Sequence, residues 1–181
     1  MSVVSFNDEM TVAVDLMNIL RWYPKWIRPE RRTHQATFAA VPWGKLRHRL
    51  DTIAPPGFNR KDIVYSTAEE GNIARAAIEK GLKQHGWKPE LLVRPRGDVD
   101  RDIQSRLLKS AEVHFEHRRS RDLLAISLVS GDGDFIPTLS TLASTYRNKI
   151  DFHVLSWNEH LHRGYRVLPN TTVHSLNEIL K

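Results

Sequence analysis

Short apolar runs alternate along the chain with longer segments in which apolar residues recur at helical spacing. The short runs predict strands at 11–15, 62–66, 90–94, 123–130 and 151–157, with a short sixth strand at 172–176. The helical spacing predicts helices at 42–54, 71–86, 100–117 and 135–147. Pro42 suits the first turn of its helix, and Gly86 suits a C-terminal stop.

Alternating strands and helices are typical of an α/β domain with a mostly parallel sheet. The segment 123–130 is apolar on both faces, which fits a sheet covered by helices on both sides. We therefore predict a three-layer α/β/α, Rossmann-like fold with about five or six strands. No repeat, low-complexity tract or flexible linker divides the 181 residues, so a single domain over 1–181 is the simplest organisation.

Composition excludes several classes of protein. The chain has no cysteine, which rules out disulfides, zinc–thiolate sites, iron–sulfur clusters and cysteine nucleophiles. The apolar runs are too short to span a bilayer, and the first residues lack the basic start and apolar stretch of a secretory signal. We therefore expect a cytoplasmic protein with no membrane partner. The formal net charge of +6 favours a polyanionic partner such as RNA.

Acidic residues follow three of the predicted strands. The carboxyl ends of parallel strands meet at one edge of a sheet, so we expect these carboxylates to converge. Converging carboxylates repel one another unless a cation neutralises them, and Mg²⁺ or Mn²⁺ prefers such oxygen ligands. A bound cation can activate water for attack on a phosphate. The acids are Asp15, Asp98, Asp100, Asp102, Asp132 and Asp134.

Each acid also has an ordinary structural explanation. An aspartate at a strand end is commonly a helix N-cap, and the acids at 98–102 suit a solvated turn with a capping residue. Asp102 and Arg106 have the spacing of an ordinary helical ion pair. The functional interpretation rests on three acidic clusters at strand ends in a basic protein. Gly131 and Gly133, on either side of Asp132, support this interpretation because they permit a tight turn and a close approach of the backbone to a phosphate.

Three short segments carry a family resemblance. Residues 12–18 are VAVDLMN, residues 96–100 are RGDVD and residues 129–135 are VSGDGDF. They resemble, in order and spacing, the D-x-x-N, middle acidic and S-G-D-x-D-F motifs of NYN domains, a branch of the PIN-like nuclease superfamily. The last motif is the most specific, and the match runs from about residue 11 to 180.

The resemblance implies a PIN-like fold and a ribonuclease that depends on Mg²⁺ or Mn²⁺. It places Asp15, Asp100, Asp132 and Asp134 as catalytic metal ligands, with Asn18 in the catalytic site. Asp98 and Asp102 are second-tier candidates for the metal, because one extra residue separates Gly97 from Val99. The family often has another acid six residues after the first acid of the middle motif, and Arg106 stands there instead.

A basic and aromatic segment follows Asn18 directly. Residues 21–32 contain five Arg or Lys and three aromatic residues. Such a segment can track phosphates and stack on unpaired bases, although the aromatic side chains could equally pack down and anchor the chain. Arg96 and Arg101, beside the middle acids, could hold the RNA backbone or simply balance the acids. The candidate RNA-binding residues are Arg21, Trp22, Lys25, Trp26, Arg28, Arg96 and Arg101.

The leading hypothesis is a metal-dependent endoribonuclease that hydrolyses single-stranded or unpaired RNA with metal-activated water. The alternative, motivated by Arg106, is a catalytically degenerate RNA-binding or scaffolding module of the same fold. A small-molecule phosphatase is a third possibility, which leaves the basic and aromatic segment without a role. We expect a monomer or a homodimer.

Overall fold

A computed structural model describes residues 9–27, 33–54, 58–67, 73–95, 98–117, 123–147 and 149–181, and only the backbone of residues 24–27, 67 and 117. Six strands form one sheet, and every pairing between neighbouring strands is parallel. The strands are β1 (Glu9–Asp15), β2 (Asn59–Thr67), β3 (Glu90–Arg94), β4 (Leu124–Val129), β5 (Ile150–Ser156) and β6 (Thr171–Ser175).

The strand order is β3-β2-β1-β4-β5-β6, the order of doubly wound α/β sheets. Because β1 and β4 are neighbours while the chain leaves them toward opposite sides, the order reverses between these two strands. In register, Val14 of β1 lies beside Val64 of β2 and Val129 of β4. The carboxyl ends of β1 and β4 therefore lie side by side at the switch point, where α/β proteins form their sites.

Helices cover both faces of the sheet and complete a three-layer α/β/α fold. Buried side chains of the first four helices and the last pack on one face, and those of the fifth and sixth pack on the other. The helices are α1 (Leu16–Ile27), α2 (His34–Ala40), α3 (Trp43–Ile53), α4 (Arg75–Gln84), α5 (Asp98–Glu112), α6 (Ile136–Tyr146) and α7 (Leu176–Ile179). No helix in these described ranges is long and apolar enough to cross a membrane.

The predicted fold class is confirmed, and the predicted strands lie within three residues of the observed ones. The helix predicted at 71–86 begins at Arg75 among the described residues, and Gly86 ends it with a positive φ of 77°. The helix predicted at 100–117 begins earlier, at Asp98, and passes into a π-helical turn, Val113–His117. The pattern predicted no helix at α1 or α2, and α1 contains Pro24, a residue that usually ends or kinks a helix.

Candidate active site at the carboxyl edge of the sheet

Asp15 is the last residue of β1 and the N-cap of α1. Its Oδ1 accepts a hydrogen bond of 3.1 Å from the backbone N–H of Asn18, which satisfies one of the free donors of the first helical turn. The Oδ1 of Asn18 is buried, and no described residue donates to it. The strand end thus places a carboxylate beside a buried amide oxygen that accepts no hydrogen bond from the described residues.

Asp132 and Asp134 lie in the short turn that follows β4. Asp132 Oδ1 accepts a hydrogen bond of 3.1 Å from the N–H of Asp134 and so caps a 3₁₀ turn, Gly133–Phe135. Gly131 must be a glycine, because a Cβ there would lie 2.1 Å from Ser156 Oγ and 2.5 Å from the carbonyl oxygen of His160. The close packing of this turn against the chain after β5 places both aspartates at the exposed edge.

Asp100 reaches the same edge although β3 is the outermost strand. It lies in the first turn of α5, which crosses back from β3 and packs against β1 and the turn after β4. Gln104, one turn further along α5, donates a hydrogen bond of 2.9 Å to the carbonyl oxygen of Asp134. The helix α5 therefore brings Asp100 to the switch point. The order of the strands alone would not place it there, because β3 is not a neighbour of β1 or β4.

The four acids form one electrostatic neighbourhood. Burial raises the pKa of Asp15 to about 6, and the charge of Asp100 adds to the rise against the opposing effects of hydrogen bonds and Arg21. The pKa of Asp100 is also raised, first by burial and then by the charges of Asp132 and Asp134. The same three acids help burial to raise the pKa of Tyr165. A cation at this edge would relieve the repulsion that these shifts record.

The second-tier acids are engaged with arginines. Arg94 donates a hydrogen bond to Asp102, and Arg101 lies 3.9 Å from Asp98 in an exposed pair. Arg106 pairs with Glu90 at 2.7 Å, near the opposite end of β3. Arg106 therefore lies near the start of β3, away from the acidic neighbourhood. The arginine that stands where the family often has an acid supplies no buried counter-charge to these acids.

The candidate RNA-binding residues are placed differently from one another. Trp22 is half-buried, packs against the core and stacks on His160 with ring centroids 3.3 Å apart, so it serves as an anchor. Arg21 and Arg101 are exposed near the acids. The side chains of Lys25 and Trp26, and all of Arg28 and Arg96, lie outside the described residues.

Sequence reasoning missed two residues that organise the site. Tyr165, in the 3₁₀ turn Arg163–Val167, is buried, and its hydroxyl donates to the carbonyl oxygen of Asp132. The ring of His162 lies against Gly133, where a Cβ would come within 2.8 Å of its Cδ2. Both residues reach the turn after β4 from a distant part of the chain. No local pattern indicates such a contact.

The donors fit a hard divalent cation in kind. All the donors are oxygens, and they include the buried Oδ1 of Asn18, which has no hydrogen-bond partner among the described residues. Within the described part of the chain, no three His, Cys, Asp or Glu residues are grouped closely enough to hold a metal ion among themselves. Mg²⁺ is usually held by one or two carboxylates with waters and substrate phosphates, so a Mg²⁺ site does not require three protein carboxylates.

Comparisons with known proteins bear on the fold. No protein-family model matches the chain, and no curated protein matches it. A crystal structure of a protein of unknown function from Vibrio parahaemolyticus is similar, with 14% sequence identity over 98% of each chain and a TM-score of 0.65. This chain therefore shares the α/β/α architecture of that protein along nearly its whole length.

Proposed function

We propose that this protein is a Mg²⁺- or Mn²⁺-dependent endoribonuclease of the NYN type that hydrolyses single-stranded or unpaired RNA. The observation that carries the proposal is the position of Asp15, Asp132 and Asp134 after the neighbouring strands β1 and β4, beside the first turn of α5 that contains Asp100. Repulsion among these acids adds to burial in raising the pKa of Asp15 and of Asp100. Structural N-caps need no such gathering of acids from three distant segments, whereas a site for a cation does.

The residues have distinct roles in this proposal. One or two of the carboxylates of Asp15, Asp100 and Asp132 would hold the cation, with the Oδ1 of Asn18 and waters as further oxygen donors. The cation would supply an activated water and neutralise charge on the phosphate. The cap bonds to Asp15 and Asp132 fix their carboxylates before the cation binds. Asp134 adds negative charge at the mouth of the site. Arg21 and Arg101 are positioned to attract the RNA backbone.

A degenerate RNA-binding or scaffolding module is the second candidate. It is favoured by the lack, among residues whose placement is described, of three side chains close enough to enclose a metal. Such a module would bind RNA with strong salt dependence and would not cleave it at any metal concentration. The two candidate functions share the same fold, and they differ in whether the protein cleaves the RNA that it binds.

Cleavage of a labelled single-stranded RNA with and without Mn²⁺ separates them. We expect wild-type protein to cut the RNA with Mn²⁺ and to stop when EDTA is added. The substitution Asp132→Asn keeps the cap acceptor and removes the charge, so it should lower the rate by at least about 100-fold. Full-rate cleavage by this variant would exclude the proposed role of the acidic edge.

The matched control is Asp151→Asn. Asp151 is an exposed aspartate of β5 near the opposite edge of the sheet, so the same chemical change there should leave cleavage unaltered. If both variants lose activity equally, the loss reflects net charge rather than the acidic edge. If wild-type protein binds the RNA and never cuts it, the scaffolding module is the better description.

A further inference from the structure

A cavity opens at the other end of the sheet, where the strands begin. It has a volume of about 210 Å³ and lies between the starts of β1 and β2 and the C-terminal half of α5. β1 alone has seven residues, about 20 Å of strand, so the cavity is far from the carboxyl edge where Asp15 lies. A ligand here would therefore not contact the residues of the proposed nuclease site.

Positive charge dominates the cavity wall. Lys61 of β2 and Arg106 and Lys109 of α5 line it, against one acid, Glu9. Arg106 is oriented by its 2.7 Å pair with Glu90, so its guanidinium is held in place at the wall. Glu9 lies 3.6 Å from Nδ1 of the buried His114. Lys61 and Lys109 are both exposed, and no ion pair within the described ranges involves either.

The rest of the wall suits a ligand that is more than a bare ion. Thr11, Asn59 and Ser110 supply hydroxyl and amide groups, and Ile63 and Val113 supply an apolar floor. Val113 begins the π-helical turn, and irregular helical turns of this kind are often found at functional sites. A cavity with convergent cations, polar groups and an apolar floor is typical of a binding site for a small organic anion.

We propose that this cavity binds a small phosphate monoester. The phosphate would lie between Lys61 and Lys109 beside Arg106, because compact cations and a fixed guanidinium are the usual phosphate donors. The organic part would rest against Ile63 and Val113. The volume suits a group about the size of a sugar phosphate, since pockets for larger ligands begin at about 300 Å³.

Titration of the ¹⁵N-labelled full chain with ribose 5-phosphate, followed by NMR, tests the proposal. We expect saturable shifts at Lys61, Lys109 and their neighbours, and none with ribose, which lacks the phosphate. The double variant Lys61→Gln, Lys109→Gln should bind at least about tenfold more weakly, because charged hydrogen bonds are lost. The pair Lys80→Gln, Lys83→Gln on α4 removes the same charge elsewhere and should leave binding unchanged.

RNA phosphodiesters offer a related chemistry and are tested in a separate arm. A short single-stranded RNA with a 5′-hydroxyl presents diesters alone. If only this RNA shifts the cavity signals, or if the Lys61 and Lys109 variant binds ribose 5-phosphate as tightly as wild-type protein, the proposal is wrong. The Asp132→Asn variant should bind ribose 5-phosphate normally, so failure of the nuclease proposal and failure of this one are distinguishable.

Discussion

Asp15 has two roles that change its pKa in opposite directions. As the N-cap of α1 it accepts a backbone hydrogen bond, which favours its charged form. Burial, with a smaller contribution from the charge of Asp100, raises its pKa to about 6 and so favours the neutral form. A sequence can indicate either role from an aspartate at a strand end, but the balance between them depends on burial and on neighbours from other segments.

The substitution Asp15→Asn should stabilise the fold in a pH-dependent way. The unfolded aspartate ionises near its ordinary value of 3.8 and the folded one near 6, so ionisation favours the unfolded chain. Wild-type protein therefore loses stability as pH rises between these values. Asn keeps the cap without the charge, and the variant should be more stable at pH 8 by on the order of 2 kcal/mol.

Urea unfolding at pH 4, 6 and 8 measures this difference between the Asp15→Asn variant and wild-type protein. The gain should approach zero near pH 4, where Asp15 is mostly protonated in the folded chain. A gain of the same size at all three pH values would show that burial of the Asp15 charge carries no free-energy cost.

At the scale of elements, the turn after β4 is fixed by contacts from the chain after β5. Gly131→Ala would place a methyl group 2.1 Å from Ser156 Oγ and 2.5 Å from a backbone carbonyl oxygen, and should destabilise the fold by about 1–3 kcal/mol. Gly44→Ala, in α3, meets its first neighbour at 3.6 Å and should stabilise by about 0.5 kcal/mol. Thermal unfolding of both variants tests the contrast, which fails if Gly131→Ala is neutral.

Tyr165 connects the 3₁₀ turn Arg163–Val167 to the acidic turn and acts as a positioning residue. Tyr165→Phe removes the part-buried hydrogen bond to the carbonyl oxygen of Asp132 and should cost about 1–2 kcal/mol in urea unfolding. Tyr146→Phe removes an exposed hydrogen bond to Glu116 and should cost less than about 0.5 kcal/mol. Equal costs would mean that the Tyr165 bond has no special role in holding the turn.

The elements also show which parts of the fold the sequence pattern can predict. β3 matches its predicted bounds because the five residues Glu90–Arg94, with an apolar centre of Leu-Leu-Val, lie between Pro89 and Pro95. α1 was not predicted, since Pro24 interrupts the segment whose apolar residues pack on the sheet. The return of α5 from β3 to the switch point, which delivers Asp100, is a tertiary feature that spacing along the chain does not encode.

At the scale of the whole molecule, the two candidate sites lie at opposite ends of the sheet. The carboxyl edge gathers acids at the switch point, while the opposite end carries a cavity with Lys61, Arg106 and Lys109. The doubly wound order makes this division possible, because parallel strands direct all their carboxyl ends to one side. A protein with a net charge of +6 that places four acids at one edge is suited to bind a cation there and anions elsewhere.

The most direct test of this account is Mg²⁺ binding by isothermal titration calorimetry, in two buffers of different ionisation enthalpy. At pH 6 Asp15 is about half protonated, so binding should release up to about half a proton from it, and release should fall towards zero at pH 8. Asp132→Asn should weaken binding and Asp151→Asn should not. The account is contradicted if Mg²⁺ and Mn²⁺ do not bind at pH 8, or if they bind equally well to the Asp132→Asn variant.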